Sequence, residues 1–213
     1  MKLVTYLDAA GKFDYERYRR AQIAANHNKI NSNWVYKPAI QFLSKYVLAH
    51  ASLPLFAICH GTRRGNEQAW FREYLGDGAE VIGTEISDTA TQFPHTVQHD
   101  FHELRDEWVG RAAFIYSNSW DHAYDPAKAL RTWVKSLRPD GFVILEYTSG
   151  HNEDNVTLAD PFGIGYDELC EFVNAAGGGA FFHADTLSEF DFTTPKYLES
   201  LRYLIIRRNS SSN

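Results

Sequence analysis

"AICHGTRRGNE" occupies residues 57–67, and its reading decides the fold. The apolar run Leu55-Phe56-Ala57-Ile58-Cys59 leads into two glycines, Gly61 and Gly65, with Arg63 midway between them. Glycine is costly inside regular structure, so two in five residues mark a backbone bent for a purpose. Beyond the turn, residues 66–75 place Trp70, Phe71, Tyr74 and Leu75 on one side of a helix. A strand, a glycine turn and a helix in that order form the unit at whose turn open α/β sheets hold ligands.

The pattern repeats outward from this unit. Residues 79–85, 95–100, 112–117 and 141–147 read as strands, and residues 126–137 and 166–176 as helices. Two last strands, near 180–184 and 200–207, are separated by a short link and suit an antiparallel pair. Upstream, Asp14 is placed to cap one helix and Pro38 to open a second. Alternating strands and helices with continuous apolar strands predict a doubly wound, mostly parallel α/β sheet. The expected organisation is one domain over 1–213: a helical cap over 1–50, the α/β core over 51–208 and a disordered tail over 209–213.

The 213 residues are 44% hydrophobic and 23% charged, with a net charge of −6. That balance argues against a nucleic-acid partner, which favours a basic face. No apolar stretch approaches the roughly 20 residues of a membrane span. Two cysteines, Cys59 in a strand and Cys170 in a helix, read as reduced thiols, so a cytoplasmic location is expected. Oligomeric state is not legible. Glu85 ends the strand after the glycine turn, twenty positions beyond Gly65, where a carboxylate can accept from a ribose diol.

The ordered series "FAICHGTRRG", "VIGTEIS", "QHDFHE", "AAFIYSNSWDH" and "LRPDGFVILEY" resembles the motifs of class I S-adenosylmethionine-dependent methyltransferases. The resemblance covers roughly residues 54–147. It implies a seven-stranded Rossmann-like sheet, S-adenosylmethionine as cofactor, and in-line methyl transfer to a small-molecule or sugar-containing acceptor. It also implies that His60, Gly61, Thr62, Arg63 and Gly65 form the cofactor turn and that Glu85 takes the ribose. Ile86 and Phe101 would flank the adenine, Asp100 would bind its amino group, and Ser117, Asn118 and Ser119 would lie beneath the methionine part. The first motif departs from the family pattern: Cys59 stands where an acid is usual, and Arg63 where the middle glycine is usual. Arg63 is expected to compensate by reaching the cofactor carboxylate.

Asp121 and His122 could form a general-base pair for a hydroxyl acceptor, and His151, in the long loop 148–165, is the reserve base. The competing reading has His122 packing under the cofactor and the loop solvated. Carboxylates at 121, 153 or 154 could serve a metal, but no spacing demands one, and none is expected. "YERYRR" (15–20) reads as a solvated helix face or as a lid over the site. Two rival functions share the fold class: a nicotinamide-dinucleotide oxidoreductase, and a binding protein that kept the architecture without catalysis.

Overall fold

The computed structural model describes residues 1–209; of the tail expected over 209–213, Asn209 donates its backbone N–H to the Ala180 carbonyl at 2.9 Å and 210–213 lie outside the described residues. In chain order the elements are β1 (Lys2–Leu3), α1 (Tyr15–Asn28), α2 (Lys37–His50), β2 (Leu55–His60), α3 (Asn66–Leu75), β3 (Ala79–Glu85) and β4 (Thr96–Gln98). They continue with β5 (Ala112–Ser117), α4 (Pro126–Ser136), β6 (Leu137–Tyr147), β7 (Phe162–Gly163), α5 (Tyr166–Gly177), β8 (Phe181–Leu187) and β9 (Arg202–Arg208).

Seven strands form one sheet in the order β4-β3-β2-β5-β6-β9-β8. Every pair from β4 to β6 is parallel, and β9 runs antiparallel to both β6 and β8. The last hairpin thus inserts its second strand beside β6. The central strands are buried on both faces because helices cover both: all six residues of β5 are buried, as are Ile58 and Cys59 of β2. One apolar layer joins Leu130 and Trp133 of α4 to Leu169 and Val173 of α5. The opposite layer joins Ile40, Leu43 and Val47 of α2 to Phe71 of α3. Asp125 starts α4 by accepting the Lys128 backbone N–H at 2.8 Å, with Pro126 in the first turn.

Three expectations need correction. Within the expected helical cap over 1–50, α2 packs into the core layer rather than over it. Nor is that stretch all helical: Lys2 and Leu3 pair with Gly163 and Phe162 as a small antiparallel ribbon. The strand expected over 95–100 is only Thr96–Gln98, because Glu85 accepts the His99 N–H on its main-chain oxygen and the chain then turns away. The helix expected to reach residue 137 stops at Ser136, where Leu137 already pairs with Ala112 in the sheet.

Candidate active site

The chain leaves β2 toward β3 on one side, and β5 toward β6 on the other. The crevice between these two departures is the switch point at the carboxyl edge. On one wall the backbone coils through Gly61 (φ 75°), Arg63 (φ 34°) and Gly65 (φ 74°), all left-handed. A Cβ on Gly61 would lie 2.6 Å from Cβ of Ser119, which stands just beyond β5 on the other wall. The two walls therefore meet at backbone distance, and the Ser119 hydroxyl donates to the Gly61 carbonyl at 3.1 Å.

Two cavities open on either side of this contact and share Gly61, Arg63, Ser119 and His122. The smaller, about 40 Å³, is walled by Glu85, Ile86, Asp100 and Phe101 from the sheet edge and roofed by α1. Glu85 is 7% exposed; Oε2 accepts the Arg63 backbone N–H at 3.1 Å and Oε1 accepts that of Ser87 at 3.0 Å. Burial raises its carboxyl above the usual range against those two bonds. A carboxylate offers about four lone pairs, so two remain for a ligand. Asp100 Oδ1 accepts from the backbone and ring of His102, and Oδ2 accepts from the Tyr15 hydroxyl. Burial pushes Asp100 up, yet the His102 contacts win and hold it below its usual value.

Helix α1 buries a polar stripe, Tyr18, Gln22 and Asn26, one per turn. A helix resting on a hydrophobic core would bury apolar side chains there. This one covers a site: Asn26 Oδ1 accepts from Thr89, and Gln22 bonds both Ala159 and His122.

The larger cavity, about 330 Å³, has three buried carboxyls in its lining, Glu67, Asp121 and Glu146. Glu67 Oε2 has no hydrogen-bond partner among the described residues, and burial pushes this carboxyl up to about 8. Glu146 Oε2 accepts from the hydroxyls of Tyr116 at 2.8 Å and Tyr203 at 3.1 Å; burial raises it more than those donors lower it. Across the same cavity, His122 Nε2 lies 3.3 Å from Asp160 Oδ1 and 4.0 Å from Asp121 Oδ1. Burial pushes Asp121 up to about 6, opposed by His122.

The structure brings most of the expected residues to these cavities: Gly61, Thr62, Arg63, Asn118, Ser119, Asp121, His122 and His151 to the larger, and Glu85, Ile86, Asp100 and Phe101 to the smaller. His60 is a correction. Its ring stacks 4.8 Å from Trp133 and hydrogen-bonds Thr84 at 2.8 Å, lining neither cavity, and burial lowers its pKa well below the usual value. Ser117 is another: fully buried, it donates to the His60 carbonyl and accepts from the Ser119 N–H, so it braces the turn. Gly65 lines neither cavity and opens α3 as its left-handed N-cap. His151 is placed poorly for a base, because Nδ1 accepts the Thr148 backbone N–H at 2.9 Å and Nε2 faces the Asn118 carbonyl. Burial lowers its pKa as well. Glu153 lies at the surface, where it pairs with the Met1 ammonium. The sequence reading missed Glu67, Glu146, Asp160 and Gln22. Glu67, two residues past the second glycine, and Asp160, inside the long loop already singled out, were within its reach.

Comparison with solved structures matches this arrangement over nearly the whole chain. A Burkholderia thailandensis 1,6-didemethyltoxoflavin-N1-methyltransferase, with S-adenosylhomocysteine and its substrate bound, superposes with a TM-score of 0.65 at 19% identity, over 92% of this chain and 88% of that one. A TehB-like S-adenosylmethionine-dependent methyltransferase from Corynebacterium glutamicum gives 0.57 at 16%, over 91% and 98%. A complex between the Haloferax volcanii Trm112 methyltransferase activator and a methyltransferase gives 0.59 at 16%, over 92% and 98%. The fold is that of the class I methyltransferases. No protein-family model matches the chain, and no curated protein matches it in sequence.

The residues present fit the cofactor of that fold. The nucleoside end has a carboxylate with free lone pairs beside the Gly61 turn, and Ile86 and Phe101 as apolar walls. Cys59, at the motif's acidic position, is fully buried in the core and lines neither cavity. Glu67 supplies an unpartnered buried carboxyl on the cavity side of the same turn.

Proposed function

We propose that this chain is an S-adenosylmethionine-dependent methyltransferase that acts on an oxygen of a small-molecule acceptor. The observation that carries the reading is the pairing of the two cavities around Gly61. One sets the Glu85 carboxylate beside the apolar Ile86 and Phe101; the other holds three buried acids, Glu67, Asp121 and Glu146, suited to a cation. Bound there, S-adenosylmethionine would supply a sulfonium methyl group as electrophile. Glu85 would accept from the ribose hydroxyls, Ile86 and Phe101 would enclose the adenine, and Asp100 would meet its amino group as Tyr15 gives way. Glu67 would take the ammonium contact that Cys59 cannot make. Arg63, which borders both cavities, would pair with the carboxylate end.

The residues' own contribution is alignment and exclusion of water. The acceptor's proton would be lost at the Asp121–His122–Asp160 cluster, where Nε2 of His122 faces the cavity. A base at this cluster supports the reading of a hydroxyl acceptor, whose proton leaves as its oxygen attacks. The nicotinamide alternative suits the site poorly: a pyrophosphate needs an anion pocket at the start of α3, and Glu67 occupies its first turn.

Calorimetry with S-adenosylhomocysteine and with NAD separates the three readings. Binding of the first alone supports the proposal, binding of NAD alone supports an oxidoreductase, and binding of neither supports a scaffold. A screen of hydroxylated metabolites with labelled S-adenosylmethionine then tests the acceptor class, and methyl transfer to nitrogen alone would refute the oxygen assignment.

A further inference from the structure

Three side chains from two segments, Asp121 and His122 after β5 and Asp160 in the loop before β7, line the larger cavity. Gln22 Nε2 donates to the Ala159 carbonyl at 2.9 Å, and a carbonyl can only accept, so the amide orientation is fixed. Its Oε1 therefore faces His122 Nδ1 at 2.9 Å, and that nitrogen must carry the hydrogen. In the neutral ring the lone pair then sits on Nε2. That lone pair points at two carboxylate oxygens, Asp160 Oδ1 at 3.3 Å and Asp121 Oδ1 at 4.0 Å. The other oxygen of Asp160 accepts from the Thr157 hydroxyl at 3.1 Å, with Lys29 Nζ 3.7 Å away. Asp121 is 8% exposed, and its Oδ1 is buried without a hydrogen-bond partner among the described residues.

Asp121 is buried and His122 and Asp160 are half-buried, and a positive charge between their three electron-rich atoms would satisfy all of them. We propose that Asp121, His122 and Asp160 form a divalent-cation site. The ligand atoms all lie within 4.8 Å of one another. For metal–ligand bonds of about 2.1 Å, tetrahedral neighbours are about 3.4 Å apart and opposite octahedral ligands about 4.2 Å; the two separations from His122, 3.3 and 4.0 Å, fall within that limit, and the carboxylates must close up by about half an ångström at most. The Gln22 contact is the outer partner that ligating histidines have: an acceptor on the far ring nitrogen that fixes the tautomer. One imidazole with two carboxylates suits a first-row ion such as Mn²⁺ or Zn²⁺ better than Ca²⁺. The protein supplies three ligands, and the remaining positions face the cavity, where an acceptor hydroxyl can bind and become acidic. That last step rests on the methyltransferase reading; the cation site does not. Bound metal and free base are exclusive roles for the single Nε2 of His122, so one titration decides between them.

The test is a Mn²⁺ titration of the chelator-treated full chain, followed by loss of the free-ion electron paramagnetic resonance signal. One saturable site per chain is expected, with Zn²⁺ displacing Mn²⁺. Asp121→Asn and Asp160→Asn, which keep side-chain shape, should each weaken binding at least about tenfold, and Gln22→Leu by about tenfold. No saturable binding at millimolar Mn²⁺, or unchanged binding in both asparagine variants, would overturn the site. So would a His122 ring protonated on both nitrogens in metal-supplemented protein, read by ¹⁵N resonance, because a proton would then fill the cluster. S-adenosylhomocysteine binding is measured on the same samples. Metal binding without it supports the cation site while refuting the methyltransferase reading, and the converse refutes the cation site alone.

Discussion

The carboxylate of Glu85, at the end of β3, accepts the backbone N–H of Arg63 at 3.1 Å and so ties the glycine turn to the neighbouring strand. Arg63 is a non-glycine residue at φ 34°, a conformation that needs outside support. One side chain thus does two things: it holds the turn in shape and faces the nucleoside cavity.

Glu85→Ala should therefore lower both stability and cofactor affinity. Loss of a charged acceptor from two buried N–H groups costs roughly 1.5–3 kcal/mol. Affinity for S-adenosylhomocysteine should fall at least about tenfold by calorimetry. Glu85→Gln keeps one acceptor oxygen and should recover much of the stability, read as a melting temperature, with less of the affinity. Unchanged affinity in folded Glu85→Ala would remove its ribose role.

Glu67 makes a pH prediction. An unfolded glutamate releases its proton near 4.5, and the folded carboxyl does so at about 8. Between those values the folded chain holds a proton that unfolding releases, so stability falls as pH rises from 4.5 toward 8. The slope from this group is at most about 1.4 kcal/mol per pH unit and vanishes above 8. Denaturant melts of wild type and Glu67→Gln across that window should differ by this slope. If Glu67 meets the cofactor's ammonium, wild-type affinity should also rise through pH 8 while the variant stays flat.

His122→Ala should lower single-turnover methyl transfer by about a hundredfold or more, once an acceptor is in hand, because the acceptor's proton loses either its base or the ion that acidifies it. Cofactor affinity should change little. Affinity falling in step with turnover would make His122 a cofactor or packing residue.

The smaller cavity, about 40 Å³, lies beneath helix α1, whose Tyr18, Gln22, Ala25 and Asn26 line it. Under the proposed function, entry of the cofactor beneath α1 would break the bonds of Gln22 to Ala159 and His122. Two such bonds are worth roughly 1–3 kcal/mol together. Gln22→Ala should speed stopped-flow association of S-adenosylhomocysteine about fivefold or more. An unchanged rate would show that entry does not pass under α1.

Most of the fold was legible because its signals are local. The apolar runs of β2, β5 and β6 have strand length, α4 carries Leu130, Trp133 and Val134 at helical spacing, and glycine turns advertise themselves in composition. Gly61, Glu85, Ile86, Asp100 and Phe101 could be placed by order along the chain, since strand ends in a parallel sheet come together by topology. What tertiary structure alone decided was the direction and partnership of single side chains. His60 turned onto Trp133 and Ser117 under the turn because each had a buried partner there. Asp160 met His122, and Gln22 reached across from α1, because loop and helix return to the same edge of the sheet. Those contacts link residues far apart in sequence, and no period or spacing records them. The sequence by itself determined the strands and the sheet edge where the two cavities lie; three-dimensional packing decided which polar atoms there were engaged and which were left without a partner.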